Sequence, residues 1–221
     1  MFIGHYAVGF ASVRVAPRTP LPWLVAAPLL LDLVWPLFLV TGVESVRIQP
    51  GYTVVMPLDI HDYPWSHSLA AGVVWSLAIA VLYLALPAHR ADRRGALVLA
   101  LASFSHWILD WITHARDIPL WPCSHTLVGL GLWSSLPGTL AAEGALFVAG
   151  LAVYLRATRP RDRRGTWAFA SLVAFLVVAY VGVVFGPPPP GVRALEVTAL
   201  ATWLLLPWTA WIERHRALVI T

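Results

Sequence analysis

Three polar side chains in the segment SHWILDWITHARDIPLWP (residues 105–122) are spaced so that they could hold one metal ion. His106, Asp110 and His114 are four residues apart, so on a helix they share one face and drift by only about 40° per step. Asp117 follows just beyond the expected helix end. Imidazole and carboxylate groups are common ligands of zinc. The spacing therefore predicts a metal-binding helix.

The composition places this helix in a membrane protein. Of the 221 residues, 59% are hydrophobic and 12% are charged, and the mean hydropathy is +0.73. Soluble domains carry about 25% charged residues. We predict an all-α protein, a polytopic membrane helical bundle. Cys123 is the single cysteine, which excludes a thiolate metal cluster within the chain.

Apolar stretches predict about six to seven membrane segments, of which the first is too short for a full span of about 20 residues. The segments are residues 2–15, 21–40, 65–87, 96–112, 139–155, 167–185 and 194–212. We interpret residues 1–155 as a membrane domain that carries the polar motifs. Residues 156–221 then add two further transmembrane helices to the same domain.

The arginines predict the orientation. All 15 basic residues are arginine, which favours a GC-rich bacterial genome, and 12 of them fall in alternate turns between the segments. The positive-inside rule places those turns in the cytoplasm. We therefore expect a bacterial inner-membrane protein with its N-terminus outside and its C-terminus in the cytoplasm. Because the arginines are distributed as membrane anchors, we expect no nucleic-acid partner.

With this orientation, the histidines and carboxylates converge near the outer ends of their segments. Taken singly, His106 could be a core histidine bonded to a backbone carbonyl, and Asp110 a carboxylate near water. A charged group at a helix centre costs about 2.5–3.5 kcal/mol, so several together favour a shared metal over a purely structural cluster. A set of imidazoles and carboxylates favours zinc, with manganese and iron as alternatives.

Several short motifs resemble the YdjM-like inner-membrane family, whose members are described as membrane-bound metal-dependent hydrolases. The motifs are GHYAVGFA, LLLDLVWP, the SHS of residues 66–68, and SHWILDWIT followed by IPLWP. The resemblance spans about residues 4–150. It implies metal ligands at His5, Asp32, His67, His106, Asp110 and Glu143.

The chain also departs from the family pattern. Val34 and Trp35 stand where the family has a second aspartate and a histidine, and Ser66 replaces a threonine. Two ligands of the family are therefore missing here. The side chains that could replace them are His61, His114 and Asp117.

Three functions compete on this evidence. The first is a metal-dependent hydrolase with Asp110 and Glu143 as catalytic carboxylates, acting near the outer leaflet on a lipid-linked substrate or a phosphate ester. The second is a non-catalytic membrane subunit with a structural or vestigial metal, bound to a partner protein or to a second copy. The third, a transporter, ranks lowest because no internal repeat is visible. Membrane lipids are expected partners in all three.

Overall fold

The computed structural model describes residues 1–219 and is mainly helical. The helices are α1 (Ile3–Ser12), α2 (Leu21–Val40), α3 (Pro64–His67), α4 (Leu69–Ala85), α5 (Arg93–Thr113), α6 (Leu136–Ala157), α7 (Arg163–Phe185), α8 (Val192–Ala201) and α9 (Leu205–His215). A 3₁₀ turn, Thr202–Leu204, joins α8 to α9, and another, Leu132–Ser134, precedes α6.

Short antiparallel strand pairs close the loops. The pairs are β1 (Ser45–Ile48) with β2 (Leu58–Asp62), β3 (Ile118–Pro119) with β4 (Leu127–Val128), and β5 (Thr158–Pro160) with β6 (Arg216–Leu218). The first pair lies between α2 and α3, and the second between α5 and α6. The third joins the end of α6 to the residues after α9.

Five helical stretches are long and apolar enough to cross a membrane: α2, α5, α6, α7 and the continuous stretch Val192–His215. Helix α4 has 17 residues and α1 has ten, so both are shorter than the rest. Large apolar side chains on the long helices face outward, with Val178 71% and Val148 66% exposed. Such a surface is suited to lipid, which supports a membrane bundle.

Helix α1 lies in the middle of the bundle although it is the shortest of the apolar elements. It packs against α2, α5 and α6. A Cβ atom at Gly150 of α6 would lie 2.5 Å from the carbonyl oxygen of Ala7, so glycine permits the close approach of the two helices. His5 is consequently fully buried.

The arginine-rich turns meet at one end of the bundle. The Thr19 hydroxyl donates to Asp92 Oδ2 at 3.0 Å, and the Leu21 amide donates to Glu213 Oε1 at 3.1 Å. Asp162 accepts from His215 at 2.8 Å. These contacts join the residues after α1, before α5, before α7 and at the end of α9. The polar side chains predicted to bind metal lie at the other end.

Helices α7, α8 and α9 belong to the same packed body as the first six helices. Helices α8 and α9 pack on α2, and the Trp203 Nε1–H donates to the carbonyl oxygen of Leu33 at 3.0 Å. Helix α7 packs on α9 and α1. Residues 220 and 221, which end the predicted 156–221 segment, lie outside the described residues.

Candidate metal centre

Five side chains from four helices meet at the end of the bundle opposite the arginines. They form two overlapping groups whose ligand atoms lie within 4.8 Å of one another, and His106 belongs to both. One group adds His67 and Asp110, and the other adds His5 and Asp32. All are buried except Asp32, whose side chain is 38% exposed. The structure thus brings together five of the six metal ligands implied by the family resemblance.

The distances between these atoms are typical of ligands around a small cation. Asp110 Oδ2 lies 3.0 Å from His106 Nε2 and 3.8 Å from His67 Nε2. Asp32 Oδ1 lies 3.6 Å from His67 Nε2 and 3.9 Å from His106 Nε2. In a tetrahedral zinc site with bonds of about 2.1 Å, neighbouring ligand atoms are about 3.4 Å apart. Separations of 3.6–3.9 Å are too long for hydrogen bonds.

His106 is held with its Nε2 atom toward the carboxylates. Its Nδ1 lies 2.8 Å from the carbonyl oxygen of Pro28. A carbonyl only accepts, so Nδ1 carries a proton, and in the neutral ring Nε2 then presents a lone pair. Among the described residues, the buried Nε2 has no partner in hydrogen-bond geometry, although Asp110 Oδ2 lies 3.0 Å away. A hydrogen bond from His106 to a backbone carbonyl was considered from the sequence, and that bond is present. It orients the ring but involves only one of the two ring nitrogens.

His67 is oriented by a relay of two residues. Ser66 Oγ donates to Glu44 Oε2 at 2.6 Å and lies 2.7 Å from His67 Nδ1. Since the single hydroxyl proton is directed to Glu44, the serine oxygen accepts from His67 Nδ1–H. Burial raises the pKa of Glu44, and hydrogen bonds from Ser66 oppose that shift. The His67 Nε2 lone pair therefore faces Asp32 and Asp110.

His114 repeats this arrangement just beyond the end of α5. Its Nδ1 lies 3.1 Å from Asp117 Oδ1, and its Nε2 lies 3.7 Å from Asp110 Oδ2. Asp117 also accepts from the hydroxyls of Tyr63 and Tyr52, each at 3.1 Å. Burial and the Asp117 charge raise the pKa of Tyr52 to about 12 and that of Tyr63 well above its usual value, so both hydroxyls stay protonated.

In their neutral forms, the three imidazoles therefore direct Nε2 lone pairs at two carboxylates. Lone pairs facing anionic oxygens repel one another unless a cation lies between them. Histidine ligands of metals usually donate their other N–H to a carboxylate, a carbonyl or a hydrogen-bonded group, and each of these three does so. Both the donor atoms and their supporting partners fit a divalent metal.

His5 takes a different position in the cluster. Its ring stacks on that of His106 with centroids 3.9 Å apart, and its Nε2 lies 3.1 Å from Asp110 Oδ1. The amino nitrogen of Met1 contacts the same oxygen. Since a carboxylate accepts, His5 Nε2 carries the proton and Nδ1 is left without a partner among residues 1–219. In this protonation state His5 positions Asp110.

Glu143 lies beside the cluster but is engaged with the start of α1. Its Oε2 accepts from the backbone N–H of Phe2 at 2.8 Å and of Gly4 at 3.3 Å. These are free donors of the first helical turn, so Glu143 stabilises the N-terminus of α1. It is absent from the two groups of ligand atoms, and its predicted catalytic role stays a prediction.

His61 lies away from the centre, on the exposed hairpin of β1 and β2. Its Nδ1 is 3.4 Å from Arg47 Nε and 3.2 Å from the Asp59 carbonyl oxygen. Of the three substitutes considered for the missing family ligands, the structure brings His114 to the cluster as a donor and Asp117 as its support. It does not bring His61 there.

A cavity of about 640 Å³ opens beside the cluster. Its polar lining includes Asp32, His67, Asp110, His114 and Glu143, and the rest is mainly apolar, including residues of α7, α8 and the segment 187–190. Trp35, which stands at one of the two missing ligand positions of the family pattern, lines this cavity and packs edge-on against His67 at 6.3 Å. Space therefore remains next to Asp32.

Comparisons with models of protein families, with curated proteins and with solved structures find no match for this chain.

The residues that orient His67 were not identified from the sequence. The helix cap of α4 is Ser68, which accepts from the Ala71 amide at 3.1 Å. Ser66 instead joins His67 to Glu44. Its position directly before a histidine was an available signal. Glu44 gave none, because it is 22 residues from Ser66.

We expect Ser66→Ala to weaken zinc binding by about 10- to 100-fold, because loss of an outer-shell partner leaves the His67 ring unoriented. Titration of metal-free protein against a competing chelator would measure this. Ser68→Ala is the matched control: it removes a helix cap and should lower thermal stability with unchanged zinc affinity. Equal zinc affinity in both variants would contradict the relay.

Proposed function

We propose that this chain is a membrane-embedded metal-dependent hydrolase. One observation carries the proposal: three histidines, each oriented through Nδ1, turn Nε2 toward the carboxylates of Asp32 and Asp110. The proposed ion, zinc in first place, is held by His67, His106 and Asp110, with His114 and Asp32 at its edge. The resemblance to the YdjM-like family supports the same assignment.

A divalent cation at this position would act as a Lewis acid and activate water near neutral pH. Asp32 is the more accessible carboxylate of the cluster, since its side chain is 38% exposed and that of Asp110 is 4% exposed. Asp110 is buried among imidazoles, which suits a ligand better than a base. We therefore assign proton removal from the attacking water to Asp32 and metal binding to Asp110.

The cavity supports an amphiphilic substrate. Its polar lining contains the proposed reaction centre, and its apolar walls between α2, α7 and α8 could accommodate a hydrocarbon chain. Burial of apolar chain contributes about 25 cal/mol per Å². We propose a lipid-linked phosphate or another lipid ester, taken from the membrane.

The proposed location is a bacterial inner membrane, with the metal centre at the outer leaflet. The arginine-rich end of the bundle lies opposite the metal centre, and its charge supports a cytoplasmic position for that end. We expect a tag after Ala91 to be cytoplasmic and a tag after Gly191 to be external, which protease protection in vesicles of known orientation would measure. The reverse pattern would move the metal centre to the cytoplasmic leaflet.

The hydrolase is best tested with two phosphate monoesters of different hydrophobicity. Purified protein in detergent, loaded with zinc, is incubated with dodecyl phosphate or with ethyl phosphate, which has a similar alkoxide leaving group, and released phosphate is measured. We expect kcat/KM for dodecyl phosphate to be at least about tenfold higher, because its chain buries apolar surface in the cavity. Removal of the metal with a chelator should abolish both activities.

Two outcomes would contradict the proposal in different ways. Stoichiometric zinc without phosphate release from either ester would favour the structural metal of a non-catalytic subunit. Absence of bound zinc, manganese and iron from the purified protein would remove the metal centre itself.

A further inference from the structure

A buried arginine lies at the end of the bundle opposite the metal centre. Arg216, at the start of β6, is 7% exposed. Its Nε and Nη2 donate to Thr158 Oγ1 at 3.1 and 2.9 Å. The guanidinium also lies over the rings of Tyr154 and Phe169, at 5.3 and 5.0 Å from their centroids. Its position is thus fixed by packing and by neutral acceptors.

Within residues 1–219, no carboxylate lies within 4.0 Å of this guanidinium. The nearby acids have other partners, since Asp162 accepts from His215 and Glu213 from the Leu21 amide. A buried charge without an opposite charge carries a desolvation penalty of several kcal/mol. The arrangement therefore favours binding of an anion from outside the chain.

An apolar groove of about 610 Å³ lies on the outer surface of α6 and α7 next to Arg216. This volume is within the range of small-ligand sites, about 300–1,000 Å³. Arg159, exposed and at the edge of the same groove, supplies a second positive charge. The apolar wall consists of Leu151, Leu155, Phe169, Ala170, Val173 and Ala174.

We infer that this groove binds one anionic phospholipid, with its phosphate between Arg159 and Arg216 and an acyl chain along α6 and α7. Charge complementarity selects the headgroup, because two arginines face the mouth and arginine pairs well with phosphate. The helices bordering the groove are membrane spans, so the apolar part is exposed to lipid tails. The lipid lies in the leaflet on the arginine-rich side.

The inference is tested by lipid retention. Protein is reconstituted in nanodiscs of equimolar phosphatidylglycerol and phosphatidylcholine, extracted in mild detergent, and examined by native mass spectrometry. We expect one retained phosphatidylglycerol per chain and no retained phosphatidylcholine. Arg159→Gln should reduce phosphatidylglycerol affinity about fivefold, since one basic residue near a membrane contributes about 1 kcal/mol. Arg47→Gln, an exposed arginine of the β1–β2 hairpin, is the matched charge control and should retain the lipid.

A second pair of variants tests the groove without altering charge. Ala170→Trp fills the groove and should abolish retention, whereas Val178→Trp, on an exposed part of the same helix, should not. Equal retention of both phospholipids, or unchanged retention in Ala170→Trp, would overturn the inference. Displacement of the lipid by millimolar inorganic phosphate would also overturn it, because the acyl chain would then contribute nothing. None of these results depends on the metal centre.

Discussion

Asp110→Asn is expected to lower zinc affinity by more than about 100-fold, beyond the 10- to 100-fold loss for outer-shell residues. The amide is nearly isosteric, so packing in α5 is preserved while the anionic charge is lost. Asp110 Oδ2 faces the Nε2 atoms of His106, His67 and His114 at 3.0, 3.8 and 3.7 Å. Within 4.0 Å, Asp32 Oδ1 by comparison faces only two imidazoles, those of His67 and His106. Zinc content after dialysis and chelator competition would measure the loss.

A second readout separates metal loss from misfolding. Zinc bound only to the folded protein raises its unfolding temperature by mass action, and this increase should be lost in Asp110→Asn. His61→Ala is the control, because His61 lies on the exposed hairpin. If His61→Ala loses zinc while Asp110→Asn retains it, the centre has been assigned to the wrong residues.

Asp32→Asn is expected to reduce phosphate release from dodecyl phosphate by about 10²- to 10⁴-fold, the usual contribution of a general base. Zinc affinity should fall much less, because His67, His106 and Asp110 remain. The expected signature is therefore a low kcat in protein that still contains metal. Asparagine preserves the size of the side chain at the edge of the cavity but cannot accept the proton.

Glu143→Gln is the comparison that decides between the two carboxylates. The glutamine carbonyl can still accept from the amides of Phe2 and Gly4, so the start of α1 remains stabilised. We expect activity close to that of the unmodified protein. Activity lost in Glu143→Gln and kept in Asp32→Asn would return the catalytic role to Glu143, as the sequence predicted.

Much of the helical architecture could be predicted because lipid imposes a simple pattern on the sequence. The segments predicted at 21–40 and 96–112 correspond to α2 and α5, within a few residues at each end. The final segment, 194–212, is less regular in the structure, where a 3₁₀ turn interrupts it at Thr202–Leu204. Hydropathy carries no information about such a turn. Five stretches are long enough to span a membrane, and the shorter helices α1 and α4 would raise the number to seven if they also crossed it.

The residues of the metal centre could be predicted where they are spaced at regular intervals along one helix. They could not be predicted where loops bring distant residues together. His106 and Asp110 share a face of α5 because they are four residues apart. Glu44 reaches Ser66 only because the β1–β2 hairpin folds the loop back on itself. Glu143 was expected to bind metal, but a helix terminus competes for its oxygens. Such competition depends on tertiary contacts that spacing does not reveal.

The long sequence separation within the cluster has a consequence for biogenesis. His5 and Asp110 are in contact although 105 residues separate them. At about 5–20 residues per second, Asp110 is synthesised about 5–20 s after His5. During that interval the nascent chain holds an imidazole and the Asp32 carboxylate at the translocon with no partner from α5. A chain arrested before α5 would therefore leave His5 and Asp32 without the polar partners that α5 supplies.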